Sequence, residues 1–126
     1  GFSPVTITQP ANATLSCSSQ NWYPKPNVSW VSSTNENLTN INTVIKQALL
    51  NMFLVRSDLS NASPYVQYSC LVENDLATAN GTAMITDFGL QTDYQLTINS
   101  CDVPVSVPYF WLCPLLLSLL LGSANR

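Results

Sequence analysis

The side chains able to do chemistry in this 126-residue chain are four cysteines, seven carboxylates and five Asn-x-Ser/Thr sequons, and no histidine accompanies them. Lack of histidine removes the commonest general base and the usual zinc ligand. Glu36, Glu73, Asp75 and Asp87 are scattered over predicted loops and strand ends, where no pair of carboxylates is positioned for acid–base work. The chain therefore reads as a non-enzyme with no cofactor, no metal and no small-molecule substrate. What remains is thiol oxidation and sugar attachment. The sequons lie at Asn12, Asn27, Asn37, Asn61 and Asn80, each an acceptor for N-glycosylation in a secretory compartment. Pro64 directly after Ser63 makes Asn61 the poorest of them.

The composition gives that sugar a purpose. Charged residues are 9% of the chain, against roughly 25% in ordinary soluble domains, so glycans would supply the hydration that charge does not. Four basic residues and a net charge of −3 leave no cationic footprint for nucleic acid. The length suits one domain of about 100 residues plus a tail. The chain begins at Gly1 without Met or a signal peptide although sequons and cysteines call for export, which reads as a fragment of a longer protein.

Short strands must position these groups. Val5 to Gln9, Ala13 to Ser18 and Asn27 to Val31 alternate apolar and polar residues as half-buried strands do. Ser32 to Asn42 is a polar, turn-rich excursion. Val44 to Ser57 suits helix or strand, and the flanking pattern favours two strands, near Val44 to Gln47 and Asn51 to Arg56. Val66 to Glu73 alternates again, and Thr82 to Phe88 follows a predicted turn at Asn80-Gly81. Seven strands at hairpin-scale spacing predict an antiparallel sandwich, with Gln91 to Asp102 as a polar connector.

Cys17 and Cys70 fall on the inward faces of their strands, with Trp30 between them in sequence and Tyr68 two positions before the second cysteine. This is the arrangement of an immunoglobulin fold, in which a disulfide joins the two sheets beside a tryptophan and the tyrosine forms a corner. Closing that loop stabilises the fold by about 4 kcal/mol on the chain-entropy model. Pro24 and Pro26 belong to the loop between the second and third strands, where a fixed φ is useful and no ladder hydrogen bond is lost. Tyr23-Pro24 is a candidate cis bond.

Several segments together resemble the membrane-proximal, constant-type domain of the B-seven and butyrophilin family of T-cell co-signalling ligands. They are FSP at Phe2, NATLSC ending at Cys17, WYPKPNVSW from Trp22, YSCLVENDLATANG from Tyr68, and the tail after QLTINS. The variable-type signature before the second cysteine is absent, since Pro64 and Val66 hold its first and third positions, which fits a constant-type domain. The resemblance implies an all-β, immunoglobulin-like constant-type antiparallel β-sandwich over residues 1–90, a juxtamembrane connector over 91–102, and an apolar membrane segment over 103–126. It also implies a variable-type domain ahead of this one and no catalytic residues. The implied function is a surface ligand that engages a protein receptor on T cells and negatively regulates their activation. The alternative is a homotypic adhesion or structural surface protein of the same fold. With seven strands, the chain would enter at the pole bearing Tyr23-Pro24 and leave at the opposite one, facing the bilayer.

Val103 to Ala124 has no charged residue. As a helix its ~22 residues would rise ~33 Å, enough for a hydrocarbon core of about 30 Å. Two anchorings fit: a single span with Arg126 inside, or a lipid-anchor signal. In the second, Asn99, Ser100 and Cys101 form the candidate cleavage and anchor site, and Trp111 to Ala124 is removed. Pro104, Pro108 and Pro114 disfavour a regular helix and tilt toward the lipid anchor. Either way the expected location is the extracellular face of the plasma membrane. Cys101 is open to pairing between chains, and Cys113 to lipidation.

Overall fold

The computed structural model describes residues 2–99. They form β1 (Thr6–Ala11), β2 (Thr14–Trp22), β3 (Asn27–Ser32), β4 (Ile41–Gln47), β5 (Phe53–Leu59), β6 (Tyr68–Glu73), β7 (Ala77–Thr86) and β8 (Gly89–Ile98). The strands make two four-stranded sheets, ordered β1-β2-β5-β4 and β3-β6-β7-β8. The first sheet and the β3-β6-β7 part of the second reproduce the strand partition of a constant-type immunoglobulin sandwich.

Alternation decides which side chains face inward. In β2 the residues Leu15, Cys17 and Ser19 point in, and in β5 Val55, Ser57 and Leu59 do, because each strand turns successive side chains to opposite faces. The second sheet contributes Trp30, Tyr68, Cys70, Val72, Ala79 and Ala83 to the same core. Residues 75–77 and 97–99 belong to a second, small unit, within which the Asn99 N–H donates to the Leu76 carbonyl at 2.7 Å.

Four sequence expectations are corrected. Asn80 and Gly81 are not a turn: they lie in mid-β7, with Asn80 opposite Leu71 and Gly81 opposite Cys70. A Cβ on Gly81 would stand 2.6 Å from Val5 Cγ2 and 3.1 Å from both Ile7 Cδ1 and Tyr94 Cδ1, so this glycine marks close packing of β1 and β8, not a bend. Residues 91–98 are not a connector but most of β8, which the two-residue turn Asp87-Phe88 returns alongside β7. Gly89 supplies the φ of +121° that this turn requires. β1 does not stop at Pro10; it runs on to Ala11 through an irregularity after Thr8, tolerated because β1 is an edge strand.

The fourth correction follows from the second. Eight strands, an even number, make β8 run back through Leu96 toward the pole where β1 begins, so the expectation that the chain leaves at the opposite pole is overturned.

Candidate binding surface

Two parallel ties cross the core. Cys17 and Cys70 are joined by a disulfide, with Cα atoms 6.5 Å apart. Cys17 is opposite Ser57 across β2-β5, and Trp30 is opposite Cys70 across β3-β6. The Trp30 indole N–H donates to Ser57 Oγ at 2.9 Å, so a hydrogen bond links the sheets one residue pair away from the covalent bridge. Ser57 is fully buried and shares a second hydrogen bond of 2.7 Å with Thr43 Oγ1. A polar side chain at this depth is stable because each of its neighbours can use it.

Tyr68 closes the β5–β6 loop: its buried hydroxyl accepts the Ser63 N–H at 2.8 Å. The Tyr23-Pro24 bond is cis, and the Asn74 side-chain amide donates to the Pro24 carbonyl at 2.8 Å. Trp22 is a core residue that sequence reasoning missed by treating its surroundings as loop. It is wholly buried, its N–H donates to Ser19 Oγ at 2.7 Å, and its ring lies 4.9 Å from that of Phe2. Simple alternation could not find it: Trp22 lies three residues after Ser19, out of period-two phase with Cys17 and Ser19, and is returned to the inner face by the register shift between Ser19 and Trp22, where Asn21 has φ +66°.

The five sequons divide in two. Asn12 in the β1–β2 turn, Asn37 in the β3–β4 loop and Asn61 in the β5–β6 loop are exposed at one pole. The Ala62 N–H donates to the Ala13 carbonyl at 2.9 Å, and the Ser60 N–H to the Asn40 carbonyl at 2.9 Å, tying these loops together. Asn27 and Asn80 instead lie on the outer face of the second sheet, on strands that both flank β6. At the opposite pole the β2–β3 and β4–β5 loops carry no sequon asparagine, but exposed Asn27, the first residue of β3 and the partner of Glu73, stands beside the β2–β3 loop; among the described residues the outer face of the first sheet has none. Asn99 ends the described residues; Ser100, Cys101, Cys113 and the apolar segment lie outside them.

Among the described residues no three His, Cys, Asp or Glu side chains cluster as metal ligands. One ion pair is present among them, Arg56 to Asp58 at 3.3 Å, with the arginine 62% exposed, and solvent screening makes it worth little to stability. Among these residues no helix is long and apolar enough to cross a membrane. The arrangement offers surfaces for docking, with sequons clustered on one pole and on one sheet face.

Comparison with known proteins fits this geometry. Residues 4–81 match the family described as Butyrophilin subfamily 3 member A2-like, Ig-C domain. The V-set domain-containing T-cell activation inhibitor 1 of Rattus norvegicus is 29% identical over 93 residues, covering 70% of this chain and 33% of that protein. Its Homo sapiens counterpart is 27% identical over 106 residues, covering 80% of this chain and 37% of that protein. The chain thus spans about a third of the length of the curated relatives it matches. A chain in the crystal structure of ICOS in complex with ICOS-L and an anti ICOS-L VNAR domain superposes with a TM-score of 0.52 and 26% identity, over 77% of this chain and 44% of that one. With the family match covering most of the two sheets and the inter-sheet bridge in place, the chain belongs to the B7/butyrophilin family of immunoglobulin-type proteins.

Proposed function

We propose that this chain is the membrane-proximal, constant-type part of a cell-surface immune ligand that engages a protein receptor on T cells and restrains their activation. The observation that carries this reading is the family match over residues 4–81, together with relatives named as T-cell activation inhibitors that align over 70–80% of the chain. The low charge and the five sequons support an extracellular, glycosylated surface. Attachment to the plasma membrane would come from Val103 to Ala124, as a single span or a lipid-anchor signal, with residues 99–102 as the juxtamembrane piece.

The test is functional. Cells displaying the full chain are mixed with T cells stimulated through their antigen receptor, and proliferation and cytokine release are measured against cells lacking the chain. Reduced proliferation supports an inhibitory ligand. Unchanged proliferation, with display verified by surface labelling, overturns that role. Aggregation of the displaying cells with one another and no effect on T cells favours homotypic adhesion.

A further inference from the structure

Each sheet ends in two edge strands, and three of the four edges are guarded against pairing with another chain. β1 is interrupted by Pro10 and by the irregularity after Thr8, β3 opens on the exposed sequon asparagine Asn27, and β8 is polar, with Gln91, Thr92, Asp93 and Gln95 exposed. β4 carries only Lys46 against pairing. Its sequence INTVIKQ holds no proline or glycine, and four of its seven residues are β-branched. Its register with β5 runs unbroken from Ile41 opposite Leu59 to Gln47 opposite Phe53. A flat, β-branched edge of this kind is a template for a further strand.

The hydrogen bonds beyond both ends of β4 identify its free backbone groups. The Ser60 N–H donates to the Asn40 carbonyl at 2.9 Å, and the Ala48 N–H to the Met52 carbonyl at 2.6 Å. Even-numbered residues of β4 therefore turn their backbone groups toward β5, and Ile41, Thr43, Ile45 and Gln47 turn theirs to the open edge. Apolar side chains accompany them: Ile41 and Val44 are 37% and 43% exposed, and Val44, Lys46, Leu54 and Arg56 line a depression on the outer face.

The occupant that fits this edge is a second copy of the same strand. An antiparallel pairing centred on Val44 sets Ile41 against the partner's Gln47 and Thr43 against the partner's Ile45, so each free backbone group meets another free one. Charge favours the same register. Since Asn42 is opposite Asp58 within one copy, one outer row reads Asp58, Asn42, the partner's Lys46; the central row reads Arg56, Val44, the partner's Val44, the partner's Arg56. Lysine enters the row of an aspartate, and the two arginines stay three strand spacings, about 14 Å, apart. We infer that β4 is a self-association edge, at which two copies join their first sheets into one continuous sheet. Seven residues a side is a small contact beside the ~20–30 of stable interfaces, so the pairing is weak and concentration-dependent. Antiparallel strands invert the poles of the two copies, so the pairing joins chains in solution or on facing surfaces, whether or not the chain restrains T cells. The sequon at Asn37 precedes β4 and lies outside the paired rows.

The test uses the full chain in mild detergent, with Cys101→Ser and Cys113→Ser in place so that only an added thiol can link two copies. Val44→Cys sets two thiols opposite each other in a non-hydrogen-bonded pair, whose Cα atoms lie about 4.5 Å apart, within the ~4.4–6.8 Å reach of a disulfide. Leu54 is similarly exposed, at 41%, but lies one strand further from the joint, outside that reach. Under mild oxidation Val44→Cys should form a covalent dimer at least about tenfold faster than Leu54→Cys. Equal rates, or no dimer from either, overturn the inference. Sedimentation gives a second reading: the chain should shift from monomer toward dimer on concentration to ~100 μM, and Val44→Lys, which opposes two ammonium groups at the centre, should abolish the shift. A dimer that survives Val44→Lys uses another surface and overturns the inference, as does a chain that stays monomeric throughout. Tryptophan fluorescence checks that each variant is folded; if Val44→Lys is not, the cross-linking rates decide.

Discussion

Gly81→Ala probes how closely the sheets approach beside the disulfide. The added methyl would sit 2.6 Å from Val5 Cγ2 and 3.1 Å from Ile7 Cδ1 and Tyr94 Cδ1. Val5 and Ile7 are 1% and 3% exposed, so neither can swing into solvent. Overpacking of this kind costs about 1–3 kcal/mol, offset by ~0.4–1 kcal/mol because alanine restricts the unfolded chain more than glycine does. The net expectation is a loss of about 1–2 kcal/mol. Val5→Ala alone removes buried methyl groups and costs about 2 kcal/mol. In the double variant the new methyl occupies the vacated space, so the losses should fall short of additive by about 1 kcal/mol. Urea unfolding followed by the fluorescence of the buried Trp22 and Trp30 measures each variant, with an unchanged m-value as the check on two-state behaviour. Gly81→Ala at wild-type stability, or strict additivity with Val5→Ala, would refute the argument that Gly81 is there for proximity.

Replacing Cys17 and Cys70 together by alanine should lower stability by about 4 kcal/mol on the chain-entropy model for a loop of this length, read as a shift of the urea midpoint under oxidising conditions. Ser57→Ala strands the Trp30 N–H in the core and should cost about 1–3 kcal/mol; a near-UV circular dichroism change at the indole band would accompany it. Tyr68→Phe deprives the N–H of exposed Ser63 of its acceptor and should cost about 0.5–1.5 kcal/mol, checked by the same unfolding assay. Single Asn→Gln changes at Asn12, Asn27, Asn37 and Asn80 should each remove one glycosidase-sensitive mass step from secreted protein, and Asn61→Gln the smallest, by intact mass spectrometry.

The bridge between Cys17 and Cys70 was legible because alternation fixes the phase of a strand, and the phases of LSC and YSC both put sulfur inside with Trp30 and Tyr68 around it. Gly81 was not legible, because a glycine marks a turn or a close approach with equal force. Here Val5, Ile7 and Tyr94, all remote in sequence, decide which. β8 escaped because it is an edge strand with most side chains in solvent, so it needs little apolar alternation. What holds it to β1 is a side chain: Tyr94 Oη accepts the Ile7 N–H at 3.0 Å and donates to the Ile7 carbonyl at 3.3 Å. Ser57 and Thr43 read as surface residues by type. Thr43 is indeed exposed, whereas the burial of Ser57 rests on the indole N–H across the core, a partner that pattern along one strand does not reveal. The same limit applies to the two poles, whose contrast appears only when the loops are gathered by the strand directions.

The position of the bridge also sets how the domain would carry mechanical load. Tension entering from either end of the chain is passed from Cys17 to Cys70 through sulfur, and the residues between them stay slack behind the shortcut. The stretched path consists of β1, β2 up to Cys17, β6 from Cys70 onward, and the β7–β8 hairpin. Since β8 returns toward the pole where β1 starts, force would peel these strands one hydrogen bond at a time, then stop abruptly at the cysteines. Such a module yields easily at its margins and keeps its centre intact, like a tether with a built-in stop.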